Sequence, residues 1–425
     1  MHRPSKPIGQ GLTILCGALI AVAANAASPP ISNSGPSSLS EMPTAHERPG
    51  LNQPALPGNK LDDSYTGFSG SVFDIAATPN GNILVAVTAP DFSTNTIKKI
   101  SPYGIKAVTS IPVLAGSPVN GLEPTGQSRF FAAIGGQDLA AGAGLWHVSA
   151  GITRFVADIE SYTLGDWPDG EAGPYPAHWK DFRCEEFAAF SHGPQTNPYH
   201  LTAASGSQVL IGDAAGNGVL SARINGEIDW VAHVDPPLDP DTGGWMILGY
   251  VDDDGEIVGI GADGDGPVEC YVEPVPTSVA IGPDGAWYVG ELTGAVSANF
   301  FGEATPEGLA RVWRIESGTH NVNCPSDECV EVVSGLDTVI DIEFGPDGYL
   351  YVLEYERNGF MATVAPDLEI PLAGGALKRC DAGTGDCELL EDGIFFAGAI
   401  TFDKWGSLWL VENVFEPTIR QVDLH

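Results

Sequence analysis

The chain has 425 residues, with 19 Lys and Arg against 55 Asp and Glu, and carries a net charge of -36. A field of that sign repels phosphate backbones and anionic lipid, so nucleic-acid and membrane-surface binding are not expected. Hydrophobic residues make up 43% of the chain, enough for a large core, but 53 Gly and 33 Pro punctuate it too densely for a helical bundle. That density points instead to many short strands joined by turns.

In chain order, the first feature is an export signal. His2, Arg3 and Lys6 precede an apolar run over 11–24, and Ala24-Asn25-Ala26 offers a small-x-small cleavage site. The apolar run is shorter than the ~20 residues needed to cross a bilayer, so residues 1–26 are expected to be a signal peptide and the product periplasmic or secreted. Residues 27–60 are rich in Pro and Ser with no apolar period, the composition of a disordered linker. The folded part is expected over 61–425.

From there one unit recurs: an apolar strand, a tight turn, and a second apolar strand ending in an acidic or small residue. The units are VFDIAATPNGNILVAV (72–87), NGLEPTGQSRFFAAI (120–134), HLTAASGSQVLIGD (200–213), TSVAIGPDGAWYVGE (277–291), VIDIEFGPDGYLYVLE (339–354) and AITFDKWGSLWLVE (399–412). Two further β-like segments come after each pair except the last, which is followed by one, IRQVDL (419–424). A repeat of one four-stranded antiparallel sheet is the signature of a β-propeller. The expectation is an all-β, six-bladed propeller. Its last blade has only three strands of its own, so an N-terminal strand near 61–70 is expected to close the ring.

Blade geometry sorts the connections. First-to-second and third-to-fourth turns share one face and are short here. Second-to-third loops and blade-to-blade connections share the other face and carry every long insertion, chiefly 159–196 and 235–275, with smaller ones at 293–309 and 355–374. One face is plain and the other elaborated, as in a scaffold that carries a site on its loops.

The stretch VPTSVAIGPDGAWYVGELTG with ARVWRI, then FGPDGYLYVLEY with GGALKR, and Asn197-Pro198-Tyr199, resemble the ScyD/ScyE family. Its members are exported proteins with NHL-like propeller repeats, named from gene clusters for an aromatic pigment. The resemblance implies a propeller fold and export. It does not imply a particular reaction, and the Trp- and His-rich insertions depart from the family pattern.

Several constellations could carry chemistry. Asp213, Glu291, Glu354 and Glu412 occupy one repeat position at the end of the second strand, and like charges held together raise one another's pKa. Such an acid ring is a candidate catalytic group, or with Asp74, Asp341 or Asn120 a cation site. Alternatively each acid accepts hydrogen bonds from its own loop. His178 and His192, in the first insertion, are candidates for proton transfer, whereas His200 is expected to pack at a strand start. The innermost strands begin at Phe73, Asn120, Thr277, Ile340 and Gly398, which offer one ready ligand, so no metal centre is expected. No cofactor motif is evident. The acidic loop around Asp252-Asp253-Asp254 suits calcium superficially but lacks EF-hand spacing.

Aromatic residues crowd the insertions. Trp167, Trp179, Trp245, Phe300, Phe301, Tyr355 and Phe360 either pin their loops or wall a pocket for a flat or apolar ligand. Two functions are compatible with this pattern. One is an exported propeller that binds, or binds and transforms, an aromatic or apolar small molecule on its decorated face. The other is a non-catalytic module that docks another exported protein.

Six cysteines remain after the signal, an even number that favours disulfides in an exported protein. Cys324–Cys329 and Cys380–Cys387 flank hairpin tips in blades four and five, leaving Cys184–Cys270 to tie the two large insertions together.

Overall fold

The computed structural model describes residues 60–112, 117–135, 143–164, 196–238, 243–245, 247–251, 268–293, 308–364 and 371–424. The signal peptide, the linker up to residue 59 and most of the first insertion lie outside them. Six antiparallel sheets of four strands form a propeller ring. Blade one comprises Ser71–Ala77, Ile83–Thr88, Asn95–Ser101 and Gly104–Ile111, running outward from the axis. The inner strands of the other blades are Val119–Gly126, Pro198–Ser205, Pro276–Ile281, Val339–Phe344 and Ile400–Phe402.

The repeat explains why these segments are strands. Second strands such as Ile83–Thr88 and Leu350–Glu354 are buried along their whole length, because each lies inside a sheet that neighbours cover on both faces. Their residues are therefore apolar and β-branched rather than alternating. The Pro-Asp-Gly turns are built alike. Asp284 Oδ1 and Asp347 Oδ1 accept the amide two residues on, while Tyr288 and Tyr351 donate their hydroxyls to the other oxygen of the same carboxylates at 3.3 and 3.0 Å. Those tyrosine rings then meet the next inner strand edge-on, Tyr288 at 4.7 Å from Phe344 and Tyr351 at 4.9 Å from Phe402. One repeated residue thus latches its turn and packs its blade onto the next.

The ring closes as the repeat count requires. Ser64 and Tyr65 pair antiparallel with Arg420 and Ile419, completing blade six with a strand from the opposite end of the chain.

Two elements are not evident in the repeat pattern. Between the third and fourth strands of blade four, Val322–Cys324 leaves its own sheet and pairs in parallel with the outer strand of blade three. The second insertion contains a hairpin, Ile247–Val251 with Val268–Tyr271. Helix is confined to Ile159–Leu164 and Phe360–Val364 among the described residues, and none of it is long and apolar enough to cross a membrane.

The two hairpin disulfides are present. Cys324–Cys329 spans a Cα separation of 5.1 Å and Cys380–Cys387 one of 4.0 Å, the latter between directly paired residues. Cys184 lies outside the described residues, and for Cys270 only its place in the strand Val268–Tyr271 is described.

Candidate functional site

The inner strands share an irregularity that positions the most unusual side chains. Each of blades one to five inserts one extra residue into its inner strand, with register shifts between Val72 and Ile75, Val119 and Gly121, Pro198 and Leu201, Pro276 and Ser278, and Val339 and Asp341. Such a bulge bends the strand and re-aims the side chains beyond it. The residues just past the bulges are Asp74, Gly121, His200, Ser278 and Asp341, and Ala399 holds the corresponding place in blade six, bonded to the Val411 amide. Blades one, three and five contribute Asp, His and Asp, while the blades between contribute small residues. Gly121 has no room for more: a Cβ there would collide with the Tyr199 carbonyl oxygen.

The three polar side chains meet on the axis, all buried. His200 Nδ1 lies 2.8 Å from Asp341 Oδ1, and Nε2 lies 4.0 Å from Asp74 Oδ1 and 3.4 Å from the Phe73 carbonyl. The Nδ1 contact is an ion pair without hydrogen-bond alignment. Each carboxylate also serves the next blade, Asp74 Oδ2 accepting the Leu122 amide and Asp341 Oδ2 the Ile400 amide at 2.8 Å. These N–H groups sit on the free inner edges of their sheets and have no strand partner there.

The ionisable groups of this channel are unbalanced, four acids against one histidine among the described residues. Burial alone would discharge His200, but Asp341 and then Asp74 overcome it and hold the imidazolium up to about 9. Burial pushes Asp74 up to about 7, with His200 opposing and Asp341 adding. Two residues further along the same strands, Glu123 and Glu343 are half-buried. Burial raises Glu123 to about 8 and carries Glu343 well above the carboxylate range, Asp341 adding to the latter. Chemically, the cluster is a buried histidine ringed by carboxyl groups, of which Asp74, Glu123 and Glu343 are shifted toward their protonated forms. As donors, one atom each from Asp74, His200 and Asp341 lie within 4.8 Å of one another, an N/O set of the kind that suits a divalent ion once the histidine is neutral.

The polar layer lies one residue later than the sequence pattern suggests. Phe73, Asn120, Thr277, Ile340 and Gly398 begin the repeats, and in blades one, two, four and five they are the bulged residues themselves. His200, expected only to pack, supplies the cation of the cluster. Asn120 instead donates to Asn197 Oδ1 at 3.1 Å, and Thr277 Oγ1 to the Val339 carbonyl at 2.7 Å, bridging neighbouring blades.

The four acids at the second-strand ends each have partners of their own. Asp213 accepts from Thr196 Oγ1, the Asn197 amide and the Gly216 amide. Glu291, fully buried, takes a two-pronged contact from Arg311 and the Trp313 indole N–H at 3.1 Å. Glu354 is bound by Lys378 at 2.6 Å and the Asp337 amide, and Glu412 by Arg420 at 2.7 Å. The charges and hydrogen bonds that act on Asp213, Glu291 and Glu354 come from their own blades. Glu291→Gln is therefore expected to cost about 3–5 kcal/mol by leaving Arg311 buried without its counter-ion. The test is thermal unfolding beside ligand affinity; a loss of affinity at unchanged melting temperature would reinstate the acid ring as a site.

Of the other candidates, His178, His192, Trp167, Trp179, Phe300 and Phe301 lie outside the described residues. Trp245 is half-buried and bridges to Leu238. Tyr355 and Phe360 are buried, their ring centroids 6.2 Å apart, and Tyr355 lies 5.8 Å from Phe396. They belong to a longer ladder at the elaborated end of the channel. Phe395 packs on Phe396 at 4.3 Å, Phe396 on Phe415 at 5.5 Å, and Phe415 on Phe73 at 6.4 Å. Phe395 and Phe415 keep part of their surface in solvent, whereas Phe73, buried at the foot, immediately precedes Asp74. Phe396 is held at φ 43° and Asn413, beside Phe415, at φ 58°, a left-handed conformation that costs energy for any residue with a side chain.

No family model matches the chain, and no curated protein matches it. Among solved structures it is similar to virginiamycin B lyase from Staphylococcus aureus, at 13% identity over 83% of this chain and 82% of that one, with a TM-score of 0.43. It is similar to a gluconolactonase from Xanthomonas campestris, at 10% identity over 84% and 89%, with a TM-score of 0.42. A PQQ-bound aldose sugar dehydrogenase from Streptomyces coelicolor shows 14% identity over 85% and 97%, with a TM-score of 0.43.

Proposed function

We propose that this is a ScyD/ScyE-like propeller of the periplasm or medium that binds an aromatic or apolar small molecule at the elaborated mouth of its axial channel. The observation that carries the reading is the ladder Phe395–Phe396–Phe415–Phe73, which runs from solvent to the residue beside the charged cluster. Every one of its loops belongs to the face with the insertions. Aromatic side chains at a mouth favour a planar ligand, because offset and edge-on ring contacts add to the burial of area. Where a ligand reaches the channel, His200 is the group that would meet a developing negative charge, and the half-buried glutamates are the groups that would hold a proton.

The experiment is isothermal titration with a panel of planar aromatic acids and phenols against the purified mature protein. Binding by at least one member is expected, weakened tenfold or more in the Phe395→Ala, Phe415→Ala double variant, with its melting temperature measured alongside because both rings also pack against the core. Affinity unchanged by that variant, or no binding by any member, overturns the proposal. Capture of a second exported protein through the same rings would favour docking instead.

A further inference from the structure

The plain face carries an unusual concentration of positive charge. The sequence has eight lysines, and three of them, Lys99, Lys106 and Lys404, line one cavity of about 320 Å³ between the hairpins of blades one and six. No acidic side chain lines it, in a chain with 55 of them. Lys99 and Lys106 are directly paired across their two strands, an arrangement in which like charges repel unless something neutralises them. Lys378 is bound by Glu354, whereas Lys99, Lys106 and Lys404 make no ion pair among the described residues.

Other features shape the cavity for a ligand larger than a bare ion. Tyr103 is 82% exposed and Trp405 37% exposed. Trp405 is fixed rather than free. Its ring lies across the Gly81 turn, where a Cβ would collide with it, and its amide bonds Asp403 Oδ1 at 2.9 Å. The Lys404 ammonium is held 4.5 Å from the ring centroid, a cation–π contact that pre-positions the charge. Asn80 Oδ1 accepts from Thr78 Oγ1 at 2.6 Å and from Asn82 Nδ2 at 3.1 Å, which leaves the Asn80 amide as a donor.

We propose that this cavity is a second binding site, for an anionic saccharide such as a uronate oligomer. Ammonium groups bind the carboxylates by charge-assisted hydrogen bonds, the exposed aromatic rings cover the apolar face of a pyranose, and Asn80 reads a hydroxyl. Walls made mostly of Lys, Asn and Ser suit a hydroxylated ring better than an apolar one. The site is separate from the axial channel, and neither depends on the other.

Isothermal titration of the full mature protein with trigalacturonate tests it, with maltotriose as the neutral counterpart and inorganic phosphate as the bare anion. Trigalacturonate is expected to bind, at least tenfold more tightly than either control, and to weaken as salt rises from about 0.05 to about 0.5 M. Lys106→Glu with Lys404→Glu should reduce its affinity tenfold or more at unchanged melting temperature, since both side chains are exposed. Lys404→Ala is the milder second variant. Failure of trigalacturonate to bind, maltotriose or phosphate binding equally well, or affinity unaffected by the lysine variants would each overturn the proposal.

Discussion

Replacing His200 by alanine is expected to lower stability by about 3–5 kcal/mol at pH 7, the cost of removing one partner from a buried charge cluster. His200 is the one cationic side chain among the described residues that touches Asp74 and Asp341, and those two residues are only 4% and 6% exposed. Without the imidazolium they must either stay charged in a medium that solvates them poorly or take up protons. Neither can rotate out to water without abandoning the Leu122 and Ile400 amides. A companion variant separates charge from packing. Adding Asp74→Asn and Asp341→Asn to His200→Ala removes the unpaired charges while keeping an oxygen for each amide, and it should recover part of the loss. Urea unfolding of the two variants measures this. A His200→Ala cost below about 1 kcal/mol would mean that the cluster contributes nothing electrostatically.

The second large effect is with pH. His200 titrates at about 9 in the fold against an ordinary value of 6.5, so its stabilising contribution is complete below 6.5 and lost as pH rises through 9. Asp74 and Glu123 are raised to about 7 and about 8 from 3.8 and 4.5, and Glu343 is raised well above its ordinary value. An acid raised in the fold prefers to remain protonated there, so each of these also favours the folded state at low pH and withdraws support as pH climbs. All four signs agree. The lowered Asp91 and Asp284 oppose them as surface groups with small effects, and His147, lowered by burial, opposes them by withdrawing some stability at acid pH. Stability should therefore be greatest near pH 5 and fall by roughly 3 kcal/mol or more by pH 9, each tenfold change in proton affinity being worth about 1.4 kcal/mol. Glu123→Gln should flatten the middle of the curve. Urea midpoints at pH 5, 7 and 9 decide the matter, and a midpoint that stays level or rises toward pH 9 refutes the reading.

The sixfold repeat is legible in the sequence because each unit carries its own turn and its own apolar strands, and ring closure comes from counting strands. The polar cluster is harder to see. Aligning V-F-D-I, V-N-G-L, P-Y-H-L, P-T-S-V and V-I-D-I puts Asp74, Gly121, His200, Ser278 and Asp341 in one column. Which column faces the axis, however, depends on a bulge, and a single inserted residue rephases every side chain after it. The acids at second-strand ends look like one ring because they share a repeat position. Their partners Arg311, Lys378 and Arg420 lie one strand further out in the same blade, and only strand register reveals that. The aromatic ladder draws on FFAG at 395–398 and on Phe415, short connections that sorting loops by length passes over. The lysine cavity joins residues about 300 positions apart and exists only because blade six lies beside blade one.

Blade six is finished by Ser64 and Tyr65, with Tyr65 set 6.1 Å from Trp409 and its hydroxyl accepting the Asp62 amide. The first strand of the fold to be synthesised is thus the last to be docked, since its partner, Thr418–Gln421, is the final strand in chain order. Until that strand arrives the ring is incomplete, and the flanks of blades five and one that blade six covers remain exposed. Assembly of this propeller therefore waits on completion of its last blade, and a chain threaded N-terminus first across a membrane would cross it before any closed ring could obstruct the passage.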